Sequence, residues 1–178
     1  MATLFVDKID PQSGTSLEIG SSGDTFTLGS GVKQSNLNYP AFGVYMSSSQ
    51  SSANNTYTKI NFDTEDYDTD NAYDTSNNRF TCPSGKDGKY MFHVKTMVDG
   101  VDDIERTEVV FYKNGSIELK SFELDMSSSA DSAIFANTTF SFNLVAGDYI
   151  EAYAKHTEGG TRNIESGYSY FFGYRIGS

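Results

Sequence analysis

Between Phe62 and Val94 the chain places large aromatics along a readable ladder. Phe62, Asp68, Tyr73 and Phe80 lead into Gly88-Lys89-Tyr90-Met91-Phe92-His93-Val94. Side chains of an extended strand alternate between its two faces, so Tyr90, Phe92 and Val94 share one face and His93 takes the other. Three bulky apolar side chains in such a row suit a core enclosed between two sheets.

Composition points the same way. Of 178 residues, 37% are hydrophobic and 14% aromatic, the latter all Phe and Tyr with no Trp. Ser, Thr, Asn, Gly and Asp dominate the remainder, a palette of β-sheet surfaces and turns. No window sustains apolar residues at the 3.6-residue period of an amphipathic helix, so the expected class is all-β. The formal net charge of −11 argues against a nucleic-acid partner, which would want clustered Lys and Arg, and against adhesion to anionic membranes. Cys82 is the single cysteine, so no internal disulfide can form. The opening Met1-Ala2-Thr3-Leu4 lacks both a basic region and a long apolar run, so neither a signal peptide nor a membrane anchor is expected.

Two regions are predicted. In residues 1–38, short apolar pairs recur at period 2 (Leu4/Val6, Leu17/Ile19, Phe26/Leu28) between turn formers such as Gly20-Ser21-Ser22-Gly23-Asp24. Strands this short cannot bury a core within one chain. They become stable when three copies wrap together, so this segment is expected to trimerise. From residue 39 onward, strands are predicted at 41–46, 57–62, 80–82, 88–98, 108–113, 116–124, 134–144, 148–155 and 168–176. Asn114-Gly115 marks a hairpin turn between two of them. Residues 47–55, 63–78, 99–103, 127–131 and 157–165 read as polar loops, and His156 is expected on a loop surface.

The ladder resembles the signature of the globular-head domain of complement component 1q, a relative of the tumour necrosis factor jelly roll. Further segments carry the likeness: Val109-Val110-Phe111-Tyr112-Lys113-Asn114-Gly115, Phe140 to Ile150 with its Ala146-Gly147-Asp148 turn, and Tyr168-Ser169-Tyr170-Phe171-Phe172-Gly173-Tyr174-Arg175-Ile176. The insert from Thr81 to Asp87 is longer than usual for the family, a length that a turn at Ser84-Gly85 absorbs. The resemblance implies a ten-stranded jelly-roll sandwich over residues 39–178, a homotrimer, and a binding module rather than an enzyme. Residues 13–25 also resemble N-terminal segments of virion fibre and appendage proteins of tailed phages. Together these imply a homotrimeric virion appendage whose N-terminal segment engages other virion proteins. Its knob would meet a host surface glycan or protein. The alternatives are an architectural capsid or tail cement, and a secreted complement-like module.

Candidate chemistry is sparse. Asp63, Glu65, Asp66, Asp68 and Asp70, with Asp74 beyond, offer the carboxylate oxygens that calcium takes, and some members of the resembled family bind calcium. Asp68 equally suits a turn-shaping role. Asp99, Asp102 and Asp103 are a second acidic group. A catalytic thiol needs an adjacent base, and nothing ties His93 or His156 to Cys82. Gly-x-Ser-x-Gly, Walker and zinc motifs are absent from the sequence. The last strand is apolar on both faces, with Tyr168, Tyr170, Phe172 and Tyr174 on one side and Phe171 and Gly173 on the other. A strand buried on both faces needs a second covering layer, so those four residues are the expected trimer interface, with a stacking platform for sugar rings as the alternative.

Overall fold

A computed structural model describes residues 9, 14, 19–25, 27, 30, 40–101, 106–118, 122–124, 132–157 and 159–177. The chain divides into two compact units, Met1–Asn38 and Tyr39–Ser178. In the first unit, a turn closes where Asp24 N donates to Ser21 O (3.0 Å) and Ser21 N donates back to the Asp24 carboxylate (2.7 Å). The apolar pairs on which the trimerising segment was expected to rest lie outside the described residues, Ile19 excepted, and Ile19 is exposed.

The second unit is a sandwich of two seven-stranded antiparallel sheets. Its strands are β1 (Ala41–Tyr45), β2 (Gln50–Ser52), β3 (Thr58–Lys59), β4 (Thr64–Asp68), β5 (Tyr73–Asp74), β6 (Arg79–Thr81), β7 (Gly88–Val101), β8 (Thr107–Lys113), β9 (Ser116–Ile117), β10 (Phe122–Leu124), β11 (Ser132–Leu144), β12 (Tyr149–His156), β13 (Arg162–Ile164) and β14 (Tyr170–Gly177). The first sheet runs β2-β13-β7-β14-β1-β4, with β11 on the other side of β7; the second runs β10-β8-β12-β6-β5, with β3 on β12 and β9 on β8. The long strands fall where alternation predicted them. The nine predicted ranges become fourteen strands because four further segments form inside expected loops (β2, β4, β5 and β13) and residues 116–124 split into β9 and β10.

Alternation explains the core. On β7, Tyr90, Phe92, Val94 and Val98 are buried and point between the sheets. Phe92 packs against Phe80 (5.4 Å between ring centroids), Phe142 (6.0 Å) and Phe171 (6.1 Å). Phe42 stacks on Tyr73 (5.0 Å) and meets Phe171 edge-on (4.9 Å). Offset and edge-on contacts match the charge distribution of the rings, and each buried Phe contributes about 1.5–3 kcal/mol by leaving water. All the aromatic rungs of the ladder, Phe62, Tyr73, Phe80, Tyr90 and Phe92, lie in this one core. Asp68, its polar rung, accepts hydrogen bonds from Tyr73 N (2.7 Å) and Asp70 N (3.2 Å) and so fixes the turn between β4 and β5. Lys86 N donates to Pro83 O (3.1 Å) around the expected Ser84-Gly85 turn, and the buried Tyr90 hydroxyl donates to Lys86 O (2.7 Å) from below.

Two expectations need correction. His156 is not loop surface: it ends β12, is buried, and its Nε2 shares a hydrogen bond with Ser52 O (2.9 Å). Residues 63–78 are not one long loop but contain β4, β5 and tight turns. Pairing with β1 and β6 supplies the strand geometry there that the residues' own polarity does not announce.

Candidate functional site

The outer face of the first sheet is where this subunit departs from an ordinary soluble surface. Tyr45, Tyr67, Phe135, Tyr168, Tyr170 and Tyr174 are between 39% and 54% exposed. The register sets Gly43 opposite Phe172 and Phe172 opposite His93, with Thr139 facing His93 from the other side. The outward side chains of β1, β14, β7 and β11 therefore form one continuous surface. Tyr170 and Phe172 stack at 6.2 Å, and Phe135 meets Tyr168 edge-on at 5.7 Å. Lys95 Nζ sits 4.5 Å from the centre of the Phe135 ring, a cation held by an aromatic face. Toward the β4 edge, Gly43, Tyr45, Asp66, Tyr67, Tyr170 and Phe172 line a shallow groove of 330 Å³. A second hollow of 410 Å³ continues past Tyr45 and Tyr170 to Ser166, Gly167 and Tyr168.

Of the four residues expected on this face, Tyr170, Phe172 and Tyr174 project from β14, while Phe171 and Gly173 turn into the core. Tyr168 belongs to a short 3-10 turn, Ser166–Tyr168, and reaches the face from there. Sequence reasoning missed Tyr45, Tyr67 and Phe135. The parity of β1 and β11 could have found Tyr45 and Phe135, whereas Tyr67 depends on a bulge between Gly43 and Val44 that the sequence does not show.

A second feature is the end of the sandwich where 47–55, 99–101 and 157–165 converge. Ser49 Oγ donates to Glu165 Oε2 (2.7 Å), Asn163 N to Asp99 Oδ1 (2.7 Å), Asn55 N to His156 O (2.7 Å) and Ser166 N to Ser49 Oγ (3.2 Å). Described residues from three of the five expected polar loops thus form one tied rim. Asp102, Asp103, Glu158 and the segment 127–131 lie outside the described residues.

The proposed calcium ligands do not gather. Among the described residues, no group of three or more Asp, Glu, His or Cys is arranged to hold an ion. Asp63 instead accepts from Ser47 N (2.7 Å) and Ser47 Oγ (2.6 Å), bonds that hold its carboxyl below the usual carboxylate range. Asp68 is spent on the turn described above. Asp70 accepts from Thr69 Oγ1 (2.8 Å) and lies 3.9 Å from Lys86 Nζ. Glu65 and Asp66 stand exposed on β4. Cys82 is buried, and burial pushes its thiol up. Its Sγ contacts Lys86 O and the Tyr90 hydroxyl, while His93 bonds Thr139 and His156 bonds Ser52, so the thiol has no imidazole base.

The family model of the C1q domain matches residues 41–176. No curated protein matches the sequence. Solved structures with this fold include the globular domain of zebrafish complement 1qA protein, at 19% identity and a TM-score of 0.59, covering 78% of this chain and 98% of that one. The Eiger TNF of S. frugiperda is similar at 13% identity and TM-score 0.54, over 79% and 94% of the two chains. Murine APRIL is similar at 11% identity and TM-score 0.56, over 78% and 99%.

Proposed function

The chain belongs to the C1q domain family, and from that premise we propose that it is a non-enzymatic homotrimeric virion protein of a tailed phage. Its jelly-roll unit would be a knob that binds a host surface glycan or protein. The observation that carries the trimer is the outer face of the first sheet. A subunit whose core is already closed has no internal use for a second aromatic surface, and exposed apolar patches of this kind mark association. Three copies about an axis would turn the face into a shared spine. The rim formed by 47–55, 99–101 and 157–165 is the recognition surface, since loops braced on a rigid scaffold carry contacts. Three rims per trimer multiply a weak site. The phage setting is supported by the likeness of residues 13–25 to virion fibre segments.

Light scattering on the purified chain tests the assembly. A trimer is expected for the native sequence and a folded monomer for Tyr170→Arg; a native monomer overturns the reading. Immunogold labelling of purified particles tests the setting, and particles without the protein would exclude it. A knob found packed against capsid or tail proteins would favour a cement role instead.

A further inference from the structure

We propose that His93 makes assembly through the first sheet pH-dependent, permitting it at neutral pH and opposing it in mild acid; this rests on the trimer reading above. His93 occupies the middle of the outer face. Its Nδ1 shares a 2.7 Å hydrogen bond with Thr139 Oγ1. Its ring stacks on Tyr170 at 5.5 Å and leans on Phe172 at 5.1 Å. A copy laid on this face covers the imidazole along with the aromatics around it.

What surrounds the ring decides which protonation state that cover tolerates. Neither β14 nor β11, the strands flanking it, contains an Asp or Glu. On β7 itself the one carboxylate is Asp99, six residues away, and it is engaged by Asn163 N and Nδ2. The charged neighbour is Lys95, whose Nζ lies over Phe135 and, at 5.9 Å, over Tyr170. The other titratable groups on this side are Lys89 at the near end of β7, the phenols of Tyr45, Tyr67, Tyr168, Tyr170 and Tyr174, and the carboxylate of Asp66 at the β4 edge of the groove. An imidazolium here would thus be desolvated beside a second cation, with the carboxylate of Asp66 two strands away across β14 and β1, a costly arrangement. Within one subunit, burial and then Lys95 already hold His93 below its ordinary pKa. Covering the face pushes in the same direction.

The sign follows from proton linkage. Separated subunits bind protons on His93 more readily than the assembled ones, so dissociation takes protons up and acid favours it. With one His93 per copy, the trimer dissociation constant rises by up to about a thousandfold per pH unit once the pH falls below the lowered pKa of His93 in the separated subunit. His156, on β12 in the second sheet and buried, is tied to Ser52. Circular dichroism separates any loss of the fold from loss of assembly.

The test is multi-angle light scattering of the full chain at fixed concentration from about pH 8 to about pH 5.5, spanning the imidazole range. Circular dichroism is recorded on the same samples, and His93→Gln and His93→Phe are run beside the native sequence. The expected result is a native trimer that separates into folded smaller species in the acid half of the window, with at least one variant remaining trimeric throughout. A native trimer unchanged to the acid limit overturns the inference and leaves the trimer intact. Variants that dissociate with the native profile also overturn it. A native monomer at every pH overturns the trimer reading and this inference together.

Discussion

Two glycines of the first sheet show how a single missing methyl group can matter in opposite degrees. A Cβ on Gly173 would lie 2.4 Å from Phe92 Cδ1 and 2.9 Å from Phe42 Cε1, in the middle of the packed rings. Neither ring can withdraw, because both are enclosed in the core. Gly173→Ala is therefore expected to lower unfolding stability by about 1–3 kcal/mol, as overpacking does. On Gly43, the Cβ would meet Tyr67 Cε1 at 2.6 Å, but Tyr67 is an exposed side chain that can swing outward. Gly43→Ala should cost under about 1 kcal/mol, within the range of surface substitutions and small rearrangements. Urea denaturation of the two variants checks the contrast, and equal losses would show that Tyr67 is fixed where it lies. The aromatic ladder was readable because both its rungs and its period are local properties. The clash at Gly173 was not, because Phe42 and Phe92 reach that glycine from strands far apart in sequence.

At the scale of elements, Asn114 joins two hairpins. Its own φ is 52° and that of Gly115 is 79°, the left-handed pair that a two-residue hairpin turn between β8 and β9 requires. Its side chain also reaches the turn between β11 and β12: Nδ2 donates to Asp148 Oδ1 (2.8 Å) and Oδ1 accepts from Tyr149 N (2.9 Å). Asn114→Gly keeps the backbone geometry and removes only the bridge. The expected loss is about 1–2 kcal/mol, from two modest hydrogen bonds, read as a lower Tm with unchanged circular dichroism. Asn114-Gly115 announced its turn in sequence; the bridge to Asp148 was silent, since it depends on β8 and β12 pairing side by side in the second sheet. The same division explains the misread acidic stretch. β4 is an edge strand, where charged side chains such as Glu65 and Asp66 discourage unwanted pairing. An edge strand of this kind loses the apolar alternation that identifies inner ones. Tyr168 illustrates the reverse case: its aromatic neighbours suggested a continuing strand, but Ser166-Gly167 begins a 3-10 turn.

For the whole molecule, three carboxylates of residues 63–74, those of Asp63, Asp68 and Asp74, serve as backbone braces, which has a measurable consequence. Asp63 ties to Ser47, Asp68 to Tyr73 and Asp74 to Ser76 N (2.9 Å) and Asn77 N (3.0 Å). Carboxylates already occupied by backbone donors do not need a divalent ion to be satisfied. Adding a chelator is expected to leave Tm unchanged, and calcium added back should not raise it. A rise with calcium would show that ligand binding stabilises the folded state and would reinstate the acidic stretch as a site.

The first and last strands of the sandwich lie side by side and antiparallel, with Ala41 opposite Tyr174 and Arg175 N donating to Pro40 O at 2.9 Å. The unit therefore begins and ends at one pole, and the rim built from 47–55, 99–101 and 157–165 occupies the other. The entry to β1 and the exit from β14 thus share one end of the unit. A handle fused at either end of the unit would attach at the pole away from the rim. A circular permutant that joined the two ends by a short linker would keep every strand pair but lose that handle, separating what the knob does from where it is mounted.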